Sequence, residues 1–187
     1  MDERLHAPSP SPTPTLRVRE MALADCPRVA EIRVRGWQTA YRGMMPQAYL
    51  DGLDPAEDVV RLRARFEGAG EGVMSLVAEW DGEVVGWACH GPYREGEVRT
   101  AEAELYAIYV APDRLARGVG RALLQESVAR CTAAGHGRML LWVLRGNTNA
   151  RRFYEKAGFA ADGAEEPFEV DGVEVPEVRY ARVLGGS

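Results

Sequence analysis

The chain has 187 residues, 46% hydrophobic and 27% charged, which suits a soluble domain with a full core and makes a second domain unexpected. No apolar run approaches the ~20 residues of a membrane helix. The net charge of −5 disfavours general nucleic-acid binding, which requires a basic footprint. Three cysteines (Cys26, Cys89, Cys131) and three histidines (His6, His90, His136) are scattered, so neither a metal template nor a Ser-His-Asp triad is expected, and the odd thiols suit a reduced, cytoplasmic protein.

Residues 1–15, MDERLHAPSPSPTPT, alternate proline with residues that bury little and lack an apolar signal-peptide core; a disordered tail is expected there, with a single domain over 16–187. LRVREM (Leu16–Met21) alternates as a first strand. A helix follows, with Asp25 as N-cap, Pro27 in its first turn and Gly36 interrupting its apolar spacing; Asp54-Pro55 opens a second, over about Ala56 to Phe66. Val73–Trp80 and Glu83–Gly91 read as strands joined at Asp81-Gly82, a two-residue hairpin turn. Glu104–Val110 is a fourth strand. A helix runs from about Val119 to Ala134 and stops at Gly135. The continuous apolar run Arg138–Leu144 predicts a strand buried on both faces, and NTNARRFYEKAGF a short helix ended by Gly158. EPFEVDGV and EVPEVRYARVL form a final strand pair across another Asp-Gly. The fold class is α/β (an α+β sandwich): a mixed sheet flanked by helices.

The chemistry concentrates in VAPDRLARGVGRALL (Val110–Leu124), where a strand hands over to a helix through Gly118 and Gly120, with Arg114, Arg117 and Arg121 around them. Helix N-termini present unpaired N–H groups and partial positive charge, and glycine lets a ligand approach the backbone. The combination favours a phosphate or pyrophosphate. It is neither a P-loop, because Arg121-Ala122 stand where Lys-Ser/Thr is needed, nor a Rossmann loop, because position 123 is Leu and the loop follows the fourth strand.

Downstream, Asn147, Ala150, Phe153, Tyr154, Gly158 and Phe159 spell N-x-x-A-x-x-F-Y-x-x-x-G-F. With the glycine loop and the buried fifth strand before it, this resembles the GNAT family, the acetyl-CoA-dependent N-acetyltransferases, over Leu16 to about Leu184. The family's loop usually begins with Gln or Arg, whereas here Leu115 holds that position and the arginine sits one place earlier, at Arg114.

The resemblance implies a mostly antiparallel sheet, acetyl-CoA as cosubstrate with no metal, transfer to a primary amine of a small molecule or a protein, and members that often dimerise. It places the coenzyme A pyrophosphate on Leu115, Ala116, Arg117, Gly118, Val119, Gly120 and Arg121. The backbone of Ile108 and Val110 would pair with the pantetheine arm, and Asn147 would touch its other side. Tyr154 would be the general acid for the departing thiolate, since their proton affinities are close. A carboxylate near the fourth strand, Glu104 or Glu102, would take the amine's proton through water, or attract a cationic substrate, or be only a solvated strand end. Trp37 and Tyr41, four apart on a helix, line the acceptor pocket or belong to the core, and Phe168 shapes the same region. A non-catalytic acyl-CoA-binding module is the alternative, for which the Tyr154 hydroxyl would be dispensable.

Overall fold

In a computed structural model, residues 15–95 and 98–185 are described. Residues 1–14 of the expected tail lie outside them. The elements in order are β1 (Leu16–Glu20), α1 (Cys26–Ala40), α2 (Gln47–Asp51), α3 (Pro55–Glu67), β2 (Met74–Trp80), β3 (Glu83–Glu95), β4 (Val98–Val110), α4 (Val119–Ala133), β5 (Arg138–Leu144), α5 (Thr148–Lys156), β6 (Ala160–Val170) and β7 (Val173–Val183). The strands form one seven-stranded sheet in the order β1-β2-β3-β4-β5-β7-β6. Every neighbour is antiparallel except β4–β5.

Alternation along central strands sends side chains to two cores. Leu76, Ala78 and Val85 face α4 and α5, packing with Val119, Leu123, Leu124 and Tyr154. Val77 and Trp87 face α1 and α3, packing with Val29, Ile32 and Leu62. The Asp81-Gly82 turn has φ of 53° and 85°, the pair of positive values that matches strand twist in a tight hairpin. Asp54 caps α3 by accepting the Ala56 N–H at 2.9 Å.

Four local features differ from the sequence reading. Asp25 does not cap α1 through its side chain; the carboxylate accepts the Ala22 N–H at 2.7 Å and pairs with Arg19, closing a 3-10 turn that precedes the helix. Gly36 does not interrupt α1. It lies within the continuous helix because a Cβ there would come 2.9 Å from Tyr109 Cδ1, so glycine admits β4 rather than ending the turn. The short helix α2 has no periodic signal in five residues. Finally, β3 and β4 run well beyond the expected ends, through polar residues of their connecting hairpin.

Two irregularities set the course of β4. Cys89 faces Ala107 while the next residue, His90, faces Leu105, so Tyr106 is an extra residue in β4. The bulge reverses the alternation. Leu105 packs on the α4 side, whereas Ala107 and Tyr109 pack on the α1 side and Ile108 and Val110 return to the α4 side. Beyond the bulge β4 also leaves β5, since the two strands pair only at Ala103–Met139 and Glu104–Leu140.

Candidate active site

The parting of β4 and β5 opens a cleft of about 960 Å³. One wall is the end of β4. Ala111 N–H bonds back to Val85 O on β3 at 2.8 Å, so by alternation the N–H groups of Ile108 and Val110 turn toward the gap. The far wall is Trp142, Val143 and Leu144 of β5, with Asn147, Ala150, Phe153 and Tyr154 from α5.

The mouth is the turn into α4. Ala116 and Gly118 both hold positive φ, 58° and 86°, so the chain folds back sharply and Gly118 caps the helix. A Cβ on Gly118 would meet nothing within 4 Å, which means that its backbone, not crowding by the protein, requires glycine. Gly120 faces Phe153 and Val110 in ordinary contact and leaves the cleft floor open. Arg117 and Arg121 line the mouth and make no ion pair with a described residue, whereas Arg114 is drawn aside by Glu83 at 3.4 Å. A 15-residue helix whose N-terminal N–H groups face a cleft flanked by two uncommitted guanidiniums is a fitting cradle for a pyrophosphate.

Residues 35–159, which span the cleft, match the acetyltransferase (GNAT) family. The chain belongs to the GNAT family, and it is an N-acetyltransferase. YuaI of Bacillus subtilis (strain 168), an uncharacterized N-acetyltransferase, is 33% identical over 161 residues, covering 86% of this chain and 89% of that protein. Among solved structures, PaiA N-acetyltransferase of Thermoplasma acidophilum, in complex with coenzyme A, has a TM-score of 0.67 at 20% identity, covering 90% of this chain and 99% of that one. Salmonella typhimurium yncA, with its cofactor acetyl-CoA, has a TM-score of 0.70 at 22% identity, covering 92% and 96%. These two structures share the GNAT fold with this chain.

Within the GNAT cleft the expected site residues divide. Ile108, Val110, Leu115, Ala116, Arg117, Gly118, Gly120, Arg121, Asn147, Tyr154 and Tyr41 all line it. Val119 does not: its side chain is 1% exposed in the core, leaving only its backbone toward the mouth. Asn147 Oδ1 accepts the Ala150 N–H at 3.1 Å, so this residue caps α5 as well as facing the cleft. The same helix is anchored from below, where Arg151 Nε donates to the Tyr180 hydroxyl and that hydroxyl donates to Glu155.

Tyr154 is buried between Phe153 and Phe159, with ring centroids 5.2 and 6.1 Å away. Its hydroxyl has no hydrogen-bond partner among the described residues. Burial, with Tyr109 adding to it, holds this phenol well above the ordinary tyrosine pKa, so it stays protonated.

Glu104 and Glu102 lie outside the cleft lining. Glu102 is committed to Arg138 at 2.6 Å. Glu104 sits before the bulge, where burial and then the charges of Glu166 and Glu177 push its pKa up to about 7. The carboxylate that does line the cleft is Glu177 on β7, also pushed up to about 7 by burial and by Glu166 opposite it on β6. Sequence reading missed it because one glutamate in an alternating strand resembles a solvated face. Tyr109 was missed likewise. Its hydroxyl lies 3.2 Å from that of Tyr41, and its ring stacks on Trp87 at 6.4 Å. Trp37 packs against Tyr41, Tyr49 and Phe168 rather than in the cleft.

Proposed function

We propose that residues 16–187 form one acetyltransferase domain that moves an acetyl group from acetyl-CoA to a primary amine by direct attack of the amine on the thioester. The single observation that carries this reading is the unpaired edge of β4 at Ile108 and Val110, which runs from the glycine-capped start of α4 to Tyr154. Acetyl-CoA supplies the activated acyl group. The α4 N-terminus with Arg117 and Arg121 holds the pyrophosphate, and the β4 edge holds the pantetheine amides as an added strand would. One of the two β4 N–H groups faces the developing oxyanion. Tyr154 delivers a proton to the departing sulfur. The surroundings that raise its pKa also raise the proton affinity of a thiolate formed beside it.

Glu177 takes the proton of the incoming ammonium, directly or through one water. Burial and the charge of Glu166 opposite push Glu177 up to about 7, so Glu177 ionises close to neutral pH, where a base for an amine is most useful. Tyr41, its hydroxyl held by Tyr109, walls the acceptor side.

The test is thermal unfolding of the full chain with acetyl-CoA, followed by thiol release on adding an amine panel. Acetyl-CoA at ~100 times its dissociation constant stabilises the fold by about 2.7 kcal/mol. Absence of any shift overturns the reading. A shift without turnover on any amine supports the acyl-CoA-binding module instead.

A further inference from the structure

The half of the cleft around Glu177 is built on one face of β5 and β7. In register, Trp142 stands opposite Arg179 and Leu144 opposite Glu177, so by alternation these four side chains share a face. The last β4–β5 pair is Glu104–Leu140, two residues before Trp142, so Trp142 borders the gap that β4 leaves. Tyr41 and Met44 face it across the cleft. A Cβ on Gly146 would come 3.5 Å from Met44 Sδ, so Met44 reaches from the segment after α1 to the turn that follows β5.

Arg179 holds Trp142 in place. Its guanidinium lies 5.7 Å from the centroid of the Trp142 ring and 5.7 Å from that of Tyr93, and it donates to the Tyr93 hydroxyl at 3.0 Å and to Asp162 at 2.8 Å. Tyr93 is buried, so the anchor is fixed. The cation is committed to these neighbours and is absent from the cleft lining, so it stiffens the indole and offers a ligand no charge. The charge of the cleft therefore sits in two places. Arg114, Arg117 and Arg121 line the mouth, and Glu177 is the one charged side chain lining the rest of it among the described residues. A single ammonium meets that carboxylate, and the body of the molecule meets Trp142, Leu144, Tyr41 and Met44. A second charge of either sign would lose water against that surface and gain no partner.

We propose that the acceptor is a primary amine with one charge on a flat, uncharged apolar body, an arylalkylamine in chemical class, and that Trp142 is the residue that selects it. This rests on the transferase reading. The amine points to Glu177 while its ring lies against the indole, where offset stacking adds to the burial of apolar area. Diamines and amino acids are rejected by the same surface, because each brings a charge that the lining leaves unpaired. Arg179 is a positioning residue that acts through the indole.

The experiment uses the full chain. At saturating acetyl-CoA, kcat/KM is measured for 2-phenylethylamine, ethylamine, putrescine and L-phenylalanine in the parent, in Trp142→Leu and in Arg179→Met. In the parent 2-phenylethylamine exceeds each of the other three about tenfold or more, the scale of discrimination set by apolar contacts in a pocket. Its ratio to ethylamine falls at least about fivefold in Trp142→Leu and by a smaller factor in Arg179→Met. A merely structural role lowers both substrates together and leaves the ratio fixed, and that result overturns the proposal, as does a preference for putrescine or L-phenylalanine in the parent. A second readout does not depend on how the variants fold. In the parent labelled with 15N and saturated with coenzyme A, the Trp142 indole N–H resonance, assigned among the four tryptophans by triple-resonance correlation, shifts with 2-phenylethylamine and not with putrescine at equal concentration. Turnover of amines with a Trp142 resonance that ignores 2-phenylethylamine overturns the proposal and leaves the transferase reading standing. A shift in a chain that acetylates no amine keeps the apolar amine site and removes the transferase reading; with neither shift nor turnover, both fall.

Discussion

Replacing Tyr154 with phenylalanine separates catalysis from folding and from cofactor binding. The ring is 8% exposed and packed between two phenylalanines, and the substitution keeps all of that contact. The hydroxyl donates to and accepts from no described residue, so its removal strands no buried partner and changes stability by under ~1 kcal/mol. A general acid contributes roughly 10²- to 10⁴-fold, so turnover falls at least ~100-fold, equivalent to ~2.7 kcal/mol of barrier. The assay is release of free thiol, followed with a chromogenic thiol reagent at saturating acetyl-CoA, beside calorimetric titration of acetyl-CoA into both proteins. The expected pattern is a collapse of kcat with a dissociation constant within about twofold of the parent. A kcat within twofold of the parent refutes the role of Tyr154. So does a loss that lies wholly in acetyl-CoA affinity, because the residue would then be a wall of the cleft and nothing more.

Two further substitutions probe the mouth and the base. Gly118→Ala forces a side chain into φ of 86°, costing ~1–2 kcal/mol of fold stability and weakening acetyl-CoA binding, whereas Gly137→Ala, at a glycine of ordinary φ with equally open surroundings, changes neither; denaturant midpoints and titration read both. Glu177→Gln removes the rise in kcat/KM as pH climbs through about 7, because the base must be ionised to act. The same substitution alters stability with a definite sign. The folded pKa of Glu177 lies above its ordinary 4.5, so the folded state holds the proton more firmly, and that stabilising effect, complete below 4.5, is lost as pH rises to about 7. Glu177→Gln therefore unfolds at higher temperature than the parent at pH 8, with the gap closing below pH 4.5; a pH-independent gap contradicts the assignment.

The parts of the molecule that sequence made legible are those governed by neighbours in the chain. The Asp81-Gly82 turn, the buried run of β5, and α4 and α5 with their glycine stops each follow from a pattern within fifteen residues. The features that decide the site depend on strands meeting across long separations. Nothing local distinguishes Tyr106 as an extra residue, because a bulge exists only against the register of β3. Gly36 reads as an interruption until Tyr109 supplies the reason for its small size. Glu177 reads as a surface acid until the folded sheet half-buries it and β6 brings Glu166 opposite. Glu104 shows the converse: its position relative to the glycine loop is visible in the chain, but the bulge after it carries the cleft past its side chain.

The two-residue contact between β4 and β5 divides the sheet into a block of four strands and a block of three, joined by little more than one rung of ladder. Blocks connected so weakly behave as separate cooperative units, each able to open without the other. A thin, amide-bearing molecule lying in the gap would close the ladder from β4 across to the second block. Acetyl-CoA would then serve as a mechanical splice as well as a donor, slowing amide exchange in β5 and β7 while bound and returning those strands to independent motion once the coenzyme leaves.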